Sequence, residues 1–120
     1  SIERRNATSY PISKKICEIY NFEVKHIPIL WYKPGVTNSQ HADSFSIING
    51  TVVRTAEWLR SAIIFLNDDF DGGELVFPNQ GVSIKPVKGT MVVASCGIDY
   101  VHYTNAASSD RYTLVFRINN

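Results

Sequence analysis

The sequence predicts a mostly β domain, an antiparallel sandwich or jelly roll with one short N-terminal helix. After residue 26 the chain breaks into short runs rich in Val, Ile, Tyr and Phe, separated by Gly, Pro, Asn and Asp, the texture of strands and turns. Eight such runs fall within fewer than 100 residues, close enough together to stack into two facing sheets. At 120 residues and 44% hydrophobic, the chain can bury one core without disulfides, so a single domain over 1–120 is expected.

The helix is expected over ISKKICEIYNF, where Ile12, Ile16, Ile19 and Tyr20 fall near helical spacing and Ser13 can cap the start. It would cover the sheet. The strands expected after it are IPILWY (27–32), SFSII (44–48), SAIIFL (61–66), GELVF (73–77), VSIKP (82–86), TMVVAS (90–95), DYVHY (99–103) and YTLVFRI (112–118). Between Asp43 and Ser61 the apolar residues Val53, Trp58 and Leu59 keep neither period for long. That segment reads as a long loop with a helical turn, and such loops often form active-site lids, here with Arg54, Trp58 and Arg60. A strand and hairpin fit the local pattern equally well.

Charge and cysteine content narrow the partners. Lys and Arg number 12 against 11 Asp and Glu, so no basic field exists to hold nucleic acid or an anionic membrane by charge. The longest apolar runs fall far short of the roughly 20 residues of a membrane helix, and no charged-then-apolar leader opens the chain. A soluble domain is expected, with the cytoplasm favoured. Cys17 and Cys96 make no disulfide framework and read as free thiols. The sequons at Asn6 and Asn49 matter only in a secretory compartment.

His41 and Asp43, in NSQHADSF, stand one residue apart, so on an extended strand both side chains point to one face. By itself this pair is more often a polar pair than half of a metal site. A third ligand would have to be His26, beside Lys25 and read as solvent-facing, or His102, with Tyr100 on the same expected strand face. In a roll the late strand can lie beside the one bearing His41. Two imidazoles and a carboxylate would then occupy one face of an octahedron and leave the other positions open, as in non-haem Fe(II) oxygenases. Arg111 follows His102 by nine residues, and its planar fork suits a carboxylate; the alternative is a surface arginine paired with Asp110 or Asp99.

Together His41, Asp43, the 61-residue step to His102, the step to Arg111, AIIFLNDDFDGGELVFP and KPVKGTMVV resemble the Fe(II)- and 2-oxoglutarate-dependent dioxygenases of the prolyl 4-hydroxylase type, over roughly residues 27 to 118. The resemblance implies a double-stranded β-helix. It implies His41, Asp43 and His102 as the iron triad, Arg111 as the grip on the distal carboxylate of 2-oxoglutarate, and Tyr32 as a pocket-lining tyrosine. An intact Asp43 favours hydroxylation over halogenation. Phe65 stands where some members have a tyrosine that holds 2-oxoglutarate; Thr113, on the strand face of Arg111, is a candidate to compensate, although a threonine there is more often simply packed. NAASSD replaces a PV pair found after the second histidine in many members.

The implied activity is hydroxylation of an unactivated carbon, foremost a prolyl residue in a peptide or protein, with release of succinate and CO2. The implied cofactors are Fe(II), 2-oxoglutarate and O2, with ascorbate as an auxiliary. A lysyl or free amino-acid hydroxylase is the next enzymatic reading, and a non-catalytic jelly-roll binding module comes from a different class. No nucleic acid or membrane partner is expected. NDDFDGG imitates the start of a calcium loop through Asn67, Asp69, Asp71 and Gly72, but Pro78 stands where a bidentate Glu is required, so a tight acidic turn is expected. Cys96 has no companion motif and reads as a small buried or half-buried cysteine rather than a nucleophile.

Overall fold

The structure is a computed structural model that describes residues 2–5, as backbone, and 29–118. The expected N-terminal helix, Cys17, Asn6 and His26 lie outside the described residues. Eleven strands are described: β1 (Ile2–Arg5), β2 (Ile29–Tyr32), β3 (Asn38–His41), β4 (Phe45–Ile48), β5 (Thr51–Arg54), β6 (Arg60–Phe65), β7 (Leu75–Phe77), β8 (Val82–Ile84), β9 (Met91–Ser95), β10 (His102–Thr104) and β11 (Arg111–Ile118). They form a five-stranded sheet in the order β1-β2-β11-β6-β9, a four-stranded sheet β3-β10-β7-β8, and the hairpin β4-β5. Among the described residues no helix is long and apolar enough to cross a membrane.

β11 is the spine of the larger sheet, bonded to β2 on one side and β6 on the other. Its alternation decides what faces where. Leu114, Phe116 and Ile118 point to one face and pack with Ala62, Ile29, Ile64 and Leu66. Arg111, Thr113, Val115 and Arg117 point to the other, where the small sheet lies opposite. Phe65 of β6 meets Leu75 and Phe77 of β7, with Ile63, Ile84, Val92 and Ala94 packed around them, and this cluster joins the two sheets. Burial of these side chains is the main force holding the layers together.

Each of the eight expected runs contains a strand, with two corrections. The long loop expected between Asp43 and Ser61 is instead largely the β4-β5 hairpin, with Ile48 opposite Thr51. Asn49 and Gly50 adopt positive φ angles of 51° and 77°, as a two-residue turn of the primed kind needs. The hairpin's face was illegible because it is mostly exposed, with Ile47 68% and Val52 52% accessible. Second, DYVHY is not one strand: Ile98–Tyr100 is a 3-10 turn and the strand begins at His102, so Tyr100 does not share its strand face.

The acidic segment after β6 is a docking turn. Gly72 and Gly73 have φ near +78° and +74°, and Gly73 N–H donates to Ala106 O at 3.0 Å. Asn67 donates to Asp110 O and accepts from Tyr112 N–H, both at 2.8 Å, which fixes where β11 begins. NAASSD is therefore the strip of chain against which this turn packs.

Candidate active site

His41 ends β3 and His102 opens β10, and the antiparallel register sets them directly opposite, rings 4.5 Å apart. Asp43 lies just beyond β3. His41 Nε2 is 3.3 Å and His102 Nε2 3.5 Å from the same Asp43 oxygen, Oδ1. One ligand atom from each residue falls within 4.8 Å of the others. Cis ligands on an octahedron with bonds of about 2.1 Å stand about 3 Å apart, so this donor set fits a small divalent cation.

Both imidazoles are oriented by the same device. His41 Nδ1 lies 2.7 Å from Ser39 O and His102 Nδ1 lies 3.0 Å from Tyr100 O, each a carbonyl two residues upstream. Donation of Nδ1–H to these carbonyls leaves both Nε2 atoms facing Asp43, the arrangement a metal-binding histidine needs. Tyr100 thus contributes its carbonyl rather than its ring. Ser61 Oγ donates to Asp43 Oδ2 at 2.5 Å and lies 3.0 Å from Cys96 Sγ. Cys96 is buried, as expected.

The electrostatics divide the triad. Burial opposes the charge of Asp43, yet hydrogen bonds from His41 and Ser61 and the positive charge of Arg117 hold its carboxyl well below the usual carboxylate range. The bond to Asp43 raises the His41 pKa against the effect of burial, whereas burial lowers that of His102. A proton on His41 and a metal cation therefore compete for the position facing Asp43.

Arg111 is 2% exposed, which excludes the surface ion pair. Its register partner is Tyr32, and its guanidinium carbon lies 4.5 Å from the Tyr32 ring and 5.7 Å from that of Phe65. Burial lowers its pKa, opposed by the Tyr32 hydroxyl. Nε and Nη1 of Arg111 and Oγ1 of Thr113 are buried with no hydrogen-bond partner among the described residues. Such groups are costly unless an anion meets them. Tyr32, His41, Asp43, His102, Arg111 and Thr113, the six residues the resemblance linked to iron and cosubstrate, line one cavity of about 330 Å³, whereas Arg54, Trp58 and Arg60 do not line it. Two neighbours were missed, Ser61 and Arg117. Arg117 lines the same cavity, and its alternation with Arg111 along β11 was the available signal.

Two facing antiparallel sheets with a His-Asp-His cluster at the mouth and an unpaired arginine within define a double-stranded β-helix of the oxygenase kind. The sequence profile of the 2OG-Fe(II) oxygenase superfamily matches residues 28–118, and the chain belongs to that family. The fold is similar to that of a Pseudomonas putida prolyl-4-hydroxylase, with TM-score 0.70 and 22% identity over 98% of this chain and 70% of that one. It is similar also to the viral collagen prolyl hydroxylase of Paramecium bursaria Chlorella virus-1 in its 2OG complex, with TM-score 0.69 and 18% identity over 98% of this chain and 78% of the other. In sequence it is 25% identical, over 99 residues, to a protein of Acanthamoeba polyphaga mimivirus whose name assigns it provisionally to the prolyl 4-hydroxylases. That alignment covers 77% of this chain and 41% of the viral protein, so the chain spans about two-fifths of that relative's length.

Proposed function

We propose that residues 1–120 form one Fe(II)- and 2-oxoglutarate-dependent dioxygenase domain that hydroxylates an unactivated carbon, foremost a prolyl residue of a peptide or protein, releasing succinate and CO2. The observation that carries this reading is the cavity with the triad at one end and unpaired Arg111 donors at the other. His41, Asp43 and His102 would hold the iron. Bound Fe(II) supplies the redox chemistry that couples decarboxylation of 2-oxoglutarate by O2 to hydroxylation, with ascorbate as an auxiliary reductant.

The protein's own part is binding, orientation and exclusion of water. The Ser39 and Tyr100 carbonyls fix the imidazole tautomers, and Ser61 keeps Asp43 from rotating. Arg111 offers two N–H groups to the distal carboxylate of 2-oxoglutarate, and the Thr113 hydroxyl supplies the bond that Phe65 cannot. Thr113 faces Phe65 in register, so one position covers the loss at the other. Tyr32 closes the cavity beside Arg111 with its ring. Leu30, Ile63, Leu75 and Val115 supply apolar wall, which strengthens every charge interaction inside. Names among the relatives support a prolyl substrate, since two of the similar folds are prolyl hydroxylases. Retention of the triad together with an unpaired buried arginine argues against a binding module without turnover.

The test is anaerobic addition of Fe(II) and 2-oxoglutarate, monitored by the weak visible charge-transfer band of the chelated 2-oxo acid. The band is expected in wild type, lost in His102→Ala and weakened in Arg111→Ala. Iron binding without the band would defeat the cosubstrate assignment.

A further inference from the structure

Arg117 is the cation in this cavity that the proposed chemistry leaves without a partner. It sits opposite Ser61 in the β11-β6 register, and Ser61 bonds Asp43, so Arg117 stands at the triad end of the cavity. Its positive charge acts on His41, Asp43 and His102 alike. Its guanidinium carbon lies 4.5 Å from the ring of Trp58. Trp58 is itself anchored, because its carbonyl accepts from Ser44 Oγ at 2.8 Å and Ser44 directly follows Asp43. Among the described residues, the buried Nε of Arg117 has no hydrogen-bond partner and no carboxylate lies within ion-pair distance of it.

One 2-oxoglutarate cannot serve both arginines. The Cα atoms of Arg111 and Arg117 stand six strand positions apart, about 20 Å at roughly 3.3 Å per residue, whereas a five-carbon diacid spans about 6 Å. Each guanidinium is also held at its own end, Arg111 against Tyr32 and Arg117 against Trp58. Charge points the same way. A divalent cation, Asp43, a dianionic cosubstrate and Arg111 are formally neutral together, so Arg117 leaves one positive charge in surplus in the cavity. A cation so placed favours an anion as its remaining partner.

We propose that the substrate presents a carboxylate to Arg117, and that this pairing sets which carbon lies beside the metal. The inference rests on the dioxygenase reading and narrows its substrate to molecules with a carboxylate close to the hydroxylated carbon. Two sources share that chemistry: the α-carboxylate of a free amino acid, and an acidic side chain next to the target residue in a peptide.

The experiment uses Zn(II)- and 2-oxoglutarate-loaded protein without dioxygen, titrated with pairs of probes that differ only in the carboxylate. One pair is L-proline and L-prolinamide; the other is a capped peptide containing Pro-Glu and its Pro-Gln counterpart. In at least one pair the carboxylate member is expected to bind at least tenfold more tightly, and the pair that shows the preference identifies the source. Arg117→Gln is expected to bring that ratio below twofold, and Arg117→Lys to keep most of it, with 2-oxoglutarate affinity unchanged in both. Equal binding within both wild-type pairs, no binding by either carboxylate probe, or a preference that survives Arg117→Gln would overturn the proposal; the wild-type comparison decides even where a variant fails to fold. An Fe(II) and 2-oxoglutarate band in wild type without carboxylate preference removes the Arg117 assignment alone. Absence of that band removes the dioxygenase reading and the Arg117 assignment with it.

Discussion

Ser61 and Asp43 are joined by a 2.5 Å hydrogen bond that ties the carboxylate of the triad to the start of strand β6 in the opposite sheet. Eighteen residues apart in sequence, they meet only because β3 and β6 face each other across the cavity. The bond leaves Oδ1 directed at the two imidazoles. Ser61→Ala is expected to weaken Fe(II) or Co(II) binding by about tenfold, in the range typical of lost outer-shell bonds, while changing unfolding free energy by only about 1 kcal/mol. Metal titration beside urea unfolding checks it. Unchanged metal affinity would make the bond a packing feature only.

Arg111 poses the opposite balance between stability and function. A buried guanidinium with two unpaired N–H groups destabilises the empty fold, and a flexible apolar chain of similar length removes that cost. Arg111→Met is expected to raise stability in the absence of cosubstrate by about 1 kcal/mol or more and to abolish the stabilisation that 2-oxoglutarate gives wild type in the presence of Zn(II). Denaturant unfolding with and without 2-oxoglutarate reads both effects.

Asp43 predicts the acid limb of the metal-free protein. Its folded carboxyl lies below the ordinary value of 3.8 because, despite burial, His41, Ser61 and Arg117 favour the charge. A group depressed in this way binds fewer protons folded than unfolded, so its stabilisation is complete above its unfolded value and is lost as pH falls toward the folded one. Wild type is expected to lose stability between about pH 4 and pH 2, and Asp43→Asn to lose less over that window. Parallel slopes for the two proteins would remove Asp43 from the acid response.

Gly72 tests the docking turn. A Cβ there would stand 2.3 Å from the backbone oxygen of Ala106, at a φ of +78° that L residues rarely adopt. Both penalties act together, and neither the backbone oxygen nor the turn can move without disturbing the start of β11. Gly72→Ala is expected to cost about 2 kcal/mol or more, seen as a lowered thermal midpoint. A wild-type midpoint would show that the turn is free to shift.

Much of this protein was determined by sequence alone, where a side chain's role follows from its near neighbours. The apolar runs within β6, β7 and β11 are read from composition and alternation, since a buried strand must present apolar groups at fixed spacing. His41, Asp43, His102 and Arg111 stood out together only through their resemblance to a family motif, since the His-x-Asp pair and the arginine each admit an ordinary structural role. β3 was not visible, for NSQH alternates nothing and pairs only because β10 lies beside it. The β4-β5 hairpin was obscured in the same way by its exposure, although Asn49-Gly50 is a strong turn signal. Tertiary structure alone decided that Tyr100 serves through its carbonyl, that Ser61 reaches Asp43, and that Arg117 stands beside the triad with no carboxylate in ion-pair distance among the described residues. These are contacts between strands distant in sequence, and their partners exist only once the register between sheets has been set by the packing of Phe65 against Leu75 and Phe77.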